Sequence, residues 1–498
     1  MLLAWLHSVL QERSRYTPVA WSKKYEFSEN DAKFAIKVLD AWLEERNNCD
    51  HANDTGKIPW VALRTLLSQS VYGGQIDRFV DQNILESIIR DIFNADTYSG
   101  LTPLVIDTRT GEKILTLPDD LSLENLEVWL DALPNGNSPI FLGLSASAER
   151  QHQEELGRKC LSQLDYLQEP HDWNISTEQK YPEVAVLDKK VDLKRSNMLF
   201  LLETAKRWLA KMPTKLLEDH KIINTEEIIK NGSVMGRCLA IEILNSTRVQ
   251  KVVQRDLNCL ASTLSIDEKC PSSDLSDMFN VKELIDCISE RKVPNFWNSL
   301  CTSVLGIDLE TWISNMQVRG KSAEQNILPC LRNILALDES NYKNEGAHSP
   351  LGSDSTSIWL GGMHNPGSLI TASKQHAALT YCWNVVDLEL YIDFEGASKE
   401  RKVAAEFEAT NLKLEGAELK NMQIHVCDLT SVTLPSVRMV WRPTTKDKLK
   451  EGINDRLKVP VYLDNTRTIM VMEAFLPVPT GERMRDIFIQ RGVCLVLR

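Results

Sequence analysis

Gly320-Lys321-Ser322 is the triplet whose residue types come nearest to nucleotide chemistry. In a phosphate-binding loop the lysine reaches the phosphates, the hydroxyl holds magnesium, and a further glycine stands five positions earlier after a strand. Here that position is Asn315, and the neighbourhood reads as helix, so no nucleotide cradle is predicted. His425 and Cys427 stand two apart on a predicted strand, on one face, as half a zinc site would. Zinc takes four ligands and no second pair stands at ligand spacing, so the two read as a buried strand histidine beside a core cysteine. His171-Asp172, Glu154-Glu155 and Glu44-Glu45 are adjacent pairs, whose side chains diverge on any regular element, and they read as surface charges. Gly-x-Ser-x-Gly, His-Glu-x-x-His and dinucleotide fingerprints are absent. No catalytic, cofactor-binding or metal-ligating residue is therefore predicted.

The 498 residues carry a net charge of −12, the wrong sign for a surface that neutralises phosphates, so nucleic-acid binding is not expected. The short basic cluster Lys189-Lys190 with Lys194-Arg195 is interleaved with Asp188 and Asp192, as in a solvated face. Eleven cysteines are scattered singly, an odd number with no Cys-x-x-Cys pair, which is the usage of a reduced compartment. The opening Met1-Leu2-Leu3-Ala4-Trp5-Leu6 lacks a basic flank and runs into Gln11-Glu12-Arg13 without a cleavage site, so no signal peptide is expected. Nor is any apolar run long enough to span a bilayer.

The elements that position these residues divide by period. Up to about residue 138 the pattern is one of short helices. The first carries Leu2, Leu3, Leu6, Val9 and Leu10; an aromatic loop, Trp21 to Phe27, follows; the next starts at Ser28 with Phe34, Val38, Leu39 and Trp42 inward. Ile58 to Gly74 reads as a punctuated helix: Pro59 in its first turn, an apolar face of Trp60, Leu63, Leu66 and Leu67, and Gly73-Gly74 as a left-handed stop. A helix from Asp77 to Phe93 buries Ile84, Leu85, Ile88, Ile89 and Ile92; a hairpin turns at 108–113; Leu121 to Leu133 is a further helix. Helices continue at 145–167, 196–211, 233–260, 281–290, 309–316 and 326–335 without a fixed repeat. After a Gly/Ser/Asn-rich stretch at 341–357 and a helix from Pro366, the period turns to two. Short strands are expected near 388–392, 404–408, 411–414, 422–427, 437–441, 459–463, 469–475 and 493–497. Pro460 suggests an edge or strand entry, and the charged run 444–458 an exposed hairpin loop. Trp42 and Trp60 are read as core, Trp208 and Trp383 as core or partner contacts, and Trp21 is left open.

The wording of these elements is more specific than their pattern. Leu6-His7, Gln11-Glu12-Arg13, Arg15-Tyr16, Pro18, Trp21 through Phe27, Ile58-Pro59-Trp60 with Leu63, and Val71-Tyr72-Gly73-Gly74 resemble the C-terminal end of dynein heavy chains, and cytoplasmic dynein most closely. Leu142-Gly143-Leu144, Trp359 to Gly362, Asn411 to Gly416, Val459 to Leu463 and Arg491-Gly492-Val493 extend the likeness. The resemblance implies an α+β protein in three parts. These are a helical AAA+ lid of the sixth module (1–138), an irregular helical layer (139–345) and a small antiparallel β-barrel (346–498), the last two forming the dynein C-terminal domain. It further implies a non-catalytic segment of a longer, minus-end-directed microtubule motor. ATP-Mg would belong to the parent motor. The partners would be the remaining AAA+ modules and dynein complex subunits, with microtubules reached only through the parent, in the cytoplasm and on the cytoskeleton, and without nucleic acid or membrane. Two alternatives fit the bare pattern: a free-standing helical adaptor with a β-barrel interaction module, and a small-molecule enzyme working at the barrel's mouth.

Overall fold

The computed structural model describes residues 1–48, 58–106, 113–118, 120, 122–133, 138–167, 202–203, 205–206, 209, 225–264, 284, 287, 293–306, 309, 357–394, 406–443, 455–479 and 481–497. Gly320-Lys321-Ser322 with Asn315, His171-Asp172, the basic cluster at 189–195, Trp208, the helix expected at 326–335, and most of those at 196–211, 281–290 and 309–316 fall outside them. The fold is mixed α+β, and the protein forms two compact units: Met1–Cys160 with Glu389–Lys399 and Asn411–Arg498, and Leu161–Leu388 with Glu400–Thr410. The described strands are β1 (Val105–Ile106), β2 (Lys113–Leu115), β3 (Ser357–Ile358), β4 (Leu388–Phe394), β5 (Glu406–Ala409), β6 (Lys413–Lys420), β7 (Gln423–Thr433), β8 (Val437–Pro443), β9 (Arg456–Tyr462), β10 (Met470–Pro477) and β11 (Cys494–Val496).

In the first unit the helices Leu2–Arg13, Glu29–Asn48 and Phe79–Ile92 pack around the aromatic loop. Their stripes behave as the spacing requires: Leu6, Val9 and Leu10 on one helix and Ile84, Leu85, Ile88, Ile89 and Ile92 on another are all buried. Trp21, left open by the sequence, is fully buried and meets Tyr25 edge-on at 5.8 Å, so it belongs to the core. Phe34 instead stands 55% exposed, and Trp42 is only half buried. Ser28 does lie at a helix start, and both its backbone N–H and its hydroxyl donate to the Asp31 carboxylate, at 2.7 and 2.9 Å.

The element from Ile58 to Gly74 departs from expectation at its end. An α-helical stretch, Trp60–Thr65, widens into a π turn, Leu66–Val71, before a 3-10 turn at Gly73–Gln75. Neither glycine has positive φ. Gly73 is needed for space instead: a Cβ there would overlap the Ser68 carbonyl, whereas one on Gly74 would meet open solvent.

The first unit's sheet has the order β8-β4-β10-β9-β11-β6-β7. It curls but does not close, and it is not wholly antiparallel. β10 lies parallel to β4 (Phe475↔Tyr391), and β11 lies parallel to β9 (Leu495↔Val461) and antiparallel to β6 (Cys494↔Glu415). Closure needs a consistent stagger carried round every strand. The short parallel contacts do not carry it, because the helix Glu482–Gln490, absent from the sequence reading, crosses over to insert a three-residue β11 between β9 and β6. Pro460 is consequently interior: β9 has a neighbour on each side, and the β11 ladder starts one residue later at Val461. Arg456 and Lys458, expected in an exposed loop, are strand residues. His425 and Cys427 are half buried on β7, not core.

In the second unit, the long helix Val234–Leu264 buries Leu239, Ile243, Val253, Leu257 and Leu260 along one side. The helix Asn295–Leu305, which the sequence reading missed, seats a buried Trp297 whose indole N–H donates to Asp256 at 3.0 Å. Glu242 accepts the backbone N–H of His364, just ahead of the helix Pro366–Tyr381, whose Asn365 cap accepts from Ser368 at 3.1 Å. β3 and β5 pair in parallel, and Trp383 stacks on Tyr381 at 4.4 Å. No described helix in either unit is long and apolar enough to cross a membrane.

Candidate functional site

The densest polar structure of the first unit is a junction tying residues 13–25 and 77–91 to residues 467–492. Arg13 stands a turn beyond Leu10, on the same buried stripe as Leu6 and Val9, and its side chain is completely shielded from solvent. Its guanidinium donates through Nη1 to the Leu142 carbonyl (2.5 Å) and through Nη2 to those of Ala20 (3.1 Å) and Gln490 (2.9 Å). The Trp21 ring lies 5.4 Å beneath it. Burial pulls the Arg13 pKa down to about 9 while Asp81 acts the other way, so the group stays cationic at neutral pH. The planar fork suits this role, because several N–H groups in fixed geometry gather carbonyls from three separate stretches.

Asp81 does the corresponding work for the aromatic loop. It accepts the Ser22 N–H (2.9 Å) and hydroxyl (2.6 Å) and the Tyr25 hydroxyl (2.8 Å), which also reaches Asp77 at 3.1 Å. Burial, with these carboxylates, raises the Tyr25 pKa well above the ordinary phenol value, so it remains a donor. Arg467, in the turn between β9 and β10, donates to the carbonyls of Val19 (3.3 Å) and Gly492 (3.0 Å) and to Glu415 (2.8 Å). Burial opposes its charge, but Cys494 and Glu415 face it and the net direction is upward. The Cys494 thiol, pushed up to about 12 chiefly by burial, stays protonated. Gly492 takes φ 63°, and a Cβ there would collide with the Val19 carbonyl.

A third set of contacts joins the helices Phe79–Ile92 and Glu482–Gln490. Arg90 meets the Asp486 carboxylate at 2.9 Å, Ser87 donates to the Asp486 carbonyl at 3.2 Å, and Gln490 donates to Asp91 at 2.5 Å and to Ser87 at 3.2 Å. Burial raises the pKa of both Asp91 and Asp486. Ile489 from the same helix packs against the core formed by residues 6–148.

These charges are engaged with backbone carbonyls and with one another, so the arrangement holds one segment to another. The sequence reading missed the junction, although one signal was present. Arg13 and Asp81 each stand at helical spacing from buried Leu or Ile residues, and a charge inside an apolar stripe marks a buried polar contact. Arg467 and Glu415 carry no such mark. Among the described residues no group of three or more His, Cys, Asp or Glu could hold a metal ion.

Fold and junction together define a scaffold: a helical bundle and a curled sheet locked by buried arginines. The protein belongs to the dynein heavy chain family and corresponds to its C-terminal region, residues 1–148 matching the Dynein heavy chain AAA lid domain and residues 162–497 the C-terminal domain of the Dynein heavy chain. It is 30% identical to "Dynein heavy chain, cytoplasmic" of Drosophila melanogaster over 99% of its own length, 26% identical to that of Paramecium tetraurelia over 100%, and 24% identical to "Cytoplasmic dynein 2 heavy chain 1" of Homo sapiens over 100%. In each case the match covers 10% of the relative, so the 498 residues span about a tenth of the length of these curated relatives. Agreement with one family along the whole sequence does not favour a free-standing adaptor.

Proposed function

We propose that the protein is the non-catalytic C-terminal part of a dynein-type, ATP-driven, minus-end-directed microtubule motor, where it braces the ring of AAA+ modules and biases how they couple. In this reading residues 1–138 are the lid of the sixth module, 139–345 the helical layer and 346–498 the sheet region of the C-terminal domain. The segment binds no cofactor, and ATP-Mg acts at modules elsewhere in the parent motor. Its partners are those modules and the subunits of the dynein complex. Microtubules are reached only through the parent, in the cytoplasm and on the cytoskeleton. The observation that carries this reading is the Arg13–Arg467 junction, which makes the lid-matched helices and the C-terminal strands one compact unit. A lid so clamped transmits a bias only through differential contacts with its neighbours, which is what a brace across modules requires.

The test is to replace the corresponding C-terminal tenth of a cytoplasmic dynein heavy chain with these 498 residues and to measure microtubule-stimulated ATPase and stepping. The chimaera is expected to move, and an Arg13→Met version to show altered coupling. A chimaera indistinguishable from a motor with that region deleted would overturn the role. The purified 498 residues alone are expected to neither bind nor hydrolyse ATP, and turnover by them would overturn the non-catalytic assignment.

A further inference from the structure

A groove of about 790 Å³ runs between the aromatic loop and the helix Ser147–Leu167, on the outer side of the junction and sharing Ser22, Tyr25 and the neighbours of Arg467 with it. Its wall is basic in an acidic protein: Arg15, Lys23, Lys24, Arg78 and Lys159 line it against the carboxylates Glu26 and Glu155. Lys24 is exposed and is in no ion pair among the described residues. Lys23 pairs with Asp77 at 2.5 Å, Lys159 with Glu155 at 3.6 Å and Arg15 with Glu12 at 3.0 Å, all on side chains 40–65% exposed on the cationic partner. Pairs this exposed are weak and readily exchanged for a ligand carboxylate. Arg78 donates one N–H to Ser22 at 3.2 Å and stands at the start of the Phe79–Ile92 helix. The apolar part of the lining, the floor, comes from Pro18 and the exposed Leu156, with the largely buried Phe27 behind, and the hydroxyls of Thr17, Thr466 and Thr468 line the groove as well.

We propose that this groove is a docking site for an acidic peptide segment of a partner protein. The basic wall would meet its carboxylates, and the apolar floor would take a hydrophobic side chain between them. Charge complementarity selects this occupant: a basic peptide is repelled by the wall, and a small inorganic anion leaves the floor unused.

The intact protein is titrated against a short fluorescein-labelled peptide of Glu and Asp around one Leu, with a Lys/Arg counterpart as control, and binding is followed by anisotropy. Binding of the acidic peptide alone is expected, weakening at high salt as screened charges do. The double variant Lys24→Glu/Lys159→Glu is expected to lose roughly tenfold in affinity. The neutral variant Lys24→Gln, whose fold is checked by thermal melting, should weaken binding by a smaller factor. Equal binding by the charge-reversed variant, binding of the basic peptide, displacement by millimolar inorganic phosphate, or no anisotropy rise with the intact protein would each overturn the proposal.

Discussion

At the scale of single residues, the first unit turns on polar side chains placed where spacing calls for apolar ones. Burying a guanidinium costs several kcal/mol, which hydrogen bonds from its donors offset. Arg13 directs Nη1 and Nη2 to the carbonyls of Leu142, Ala20 and Gln490, while its buried Nε has no partner among the described residues. Arg13→Met should therefore lower the unfolding free energy by about 3 kcal/mol, because it strands these acceptors, and Arg13→Lys should not rescue it, since a compact ammonium cannot span them. Urea denaturation gives the measurement. Asp91 and Asp486 supply a pH test. Burial raises both folded-state pKa values above 3.8, so the native state holds more protons than the unfolded state between that value and the raised ones. Stability contributed by these groups thus falls as pH rises through that window and is regained on acidification. Asp91→Asn, which keeps an acceptor for Gln490, should melt no lower than the parent at pH 7 and show a flatter dependence of melting temperature on pH. A parallel dependence would show that Asp91 does not titrate there.

Among elements, the Trp60–Gln75 stretch shows how a correct residue can be read for the wrong reason. The glycine pair does mark the end of the helix, but by close approach after a π turn and not by left-handed backbone. The two positions therefore separate. Gly73→Ala should cost about 1–3 kcal/mol through collision with the Ser68 carbonyl, while Gly74→Ala should stay within about 0.5 kcal/mol. Thermal melts of the two variants decide it, and equal losses would mean the π turn is misplaced. Most helix stripes and strand centres were legible because period and burial are local properties: Ile84 to Ile92 on the helix Phe79–Ile92 and Leu388 to Ile392 on β4 are examples. The helix Glu482–Gln490 was not read from the sequence. It is short, its charged residues interrupt the apolar spacing, and its place is set by distant partners, as in the pairing of Asp486 with Ser87 across a separation of 399 residues.

On the scale of the whole molecule, that same helix makes the beginning and the end of the sequence interdependent. Deleting residues 482–498 removes Ile489 from the helical core and the Gln490 partners of Arg13, Ser87 and Asp91. Hydrogen exchange should then show protection lost along 79–92 as well as in the sheet; protection retained along that helix would show that the bundle stands without the C-terminal segment. By itself the sequence determined the mixed α+β class, the positions of most elements and membership of the dynein heavy chain family, because hydrophobic period, turn residues and family wording are all carried by short stretches. Only the tertiary structure decided that the sheet stays open with parallel neighbours, that Pro460 is interior, and that Arg13 and Arg467 clamp the aromatic loop to the last helix and the strand after it. The physical reason is that strand order and the partners of a buried charge are fixed by contacts between distant segments, whose gain must exceed loop-closure and desolvation costs that no local pattern encodes.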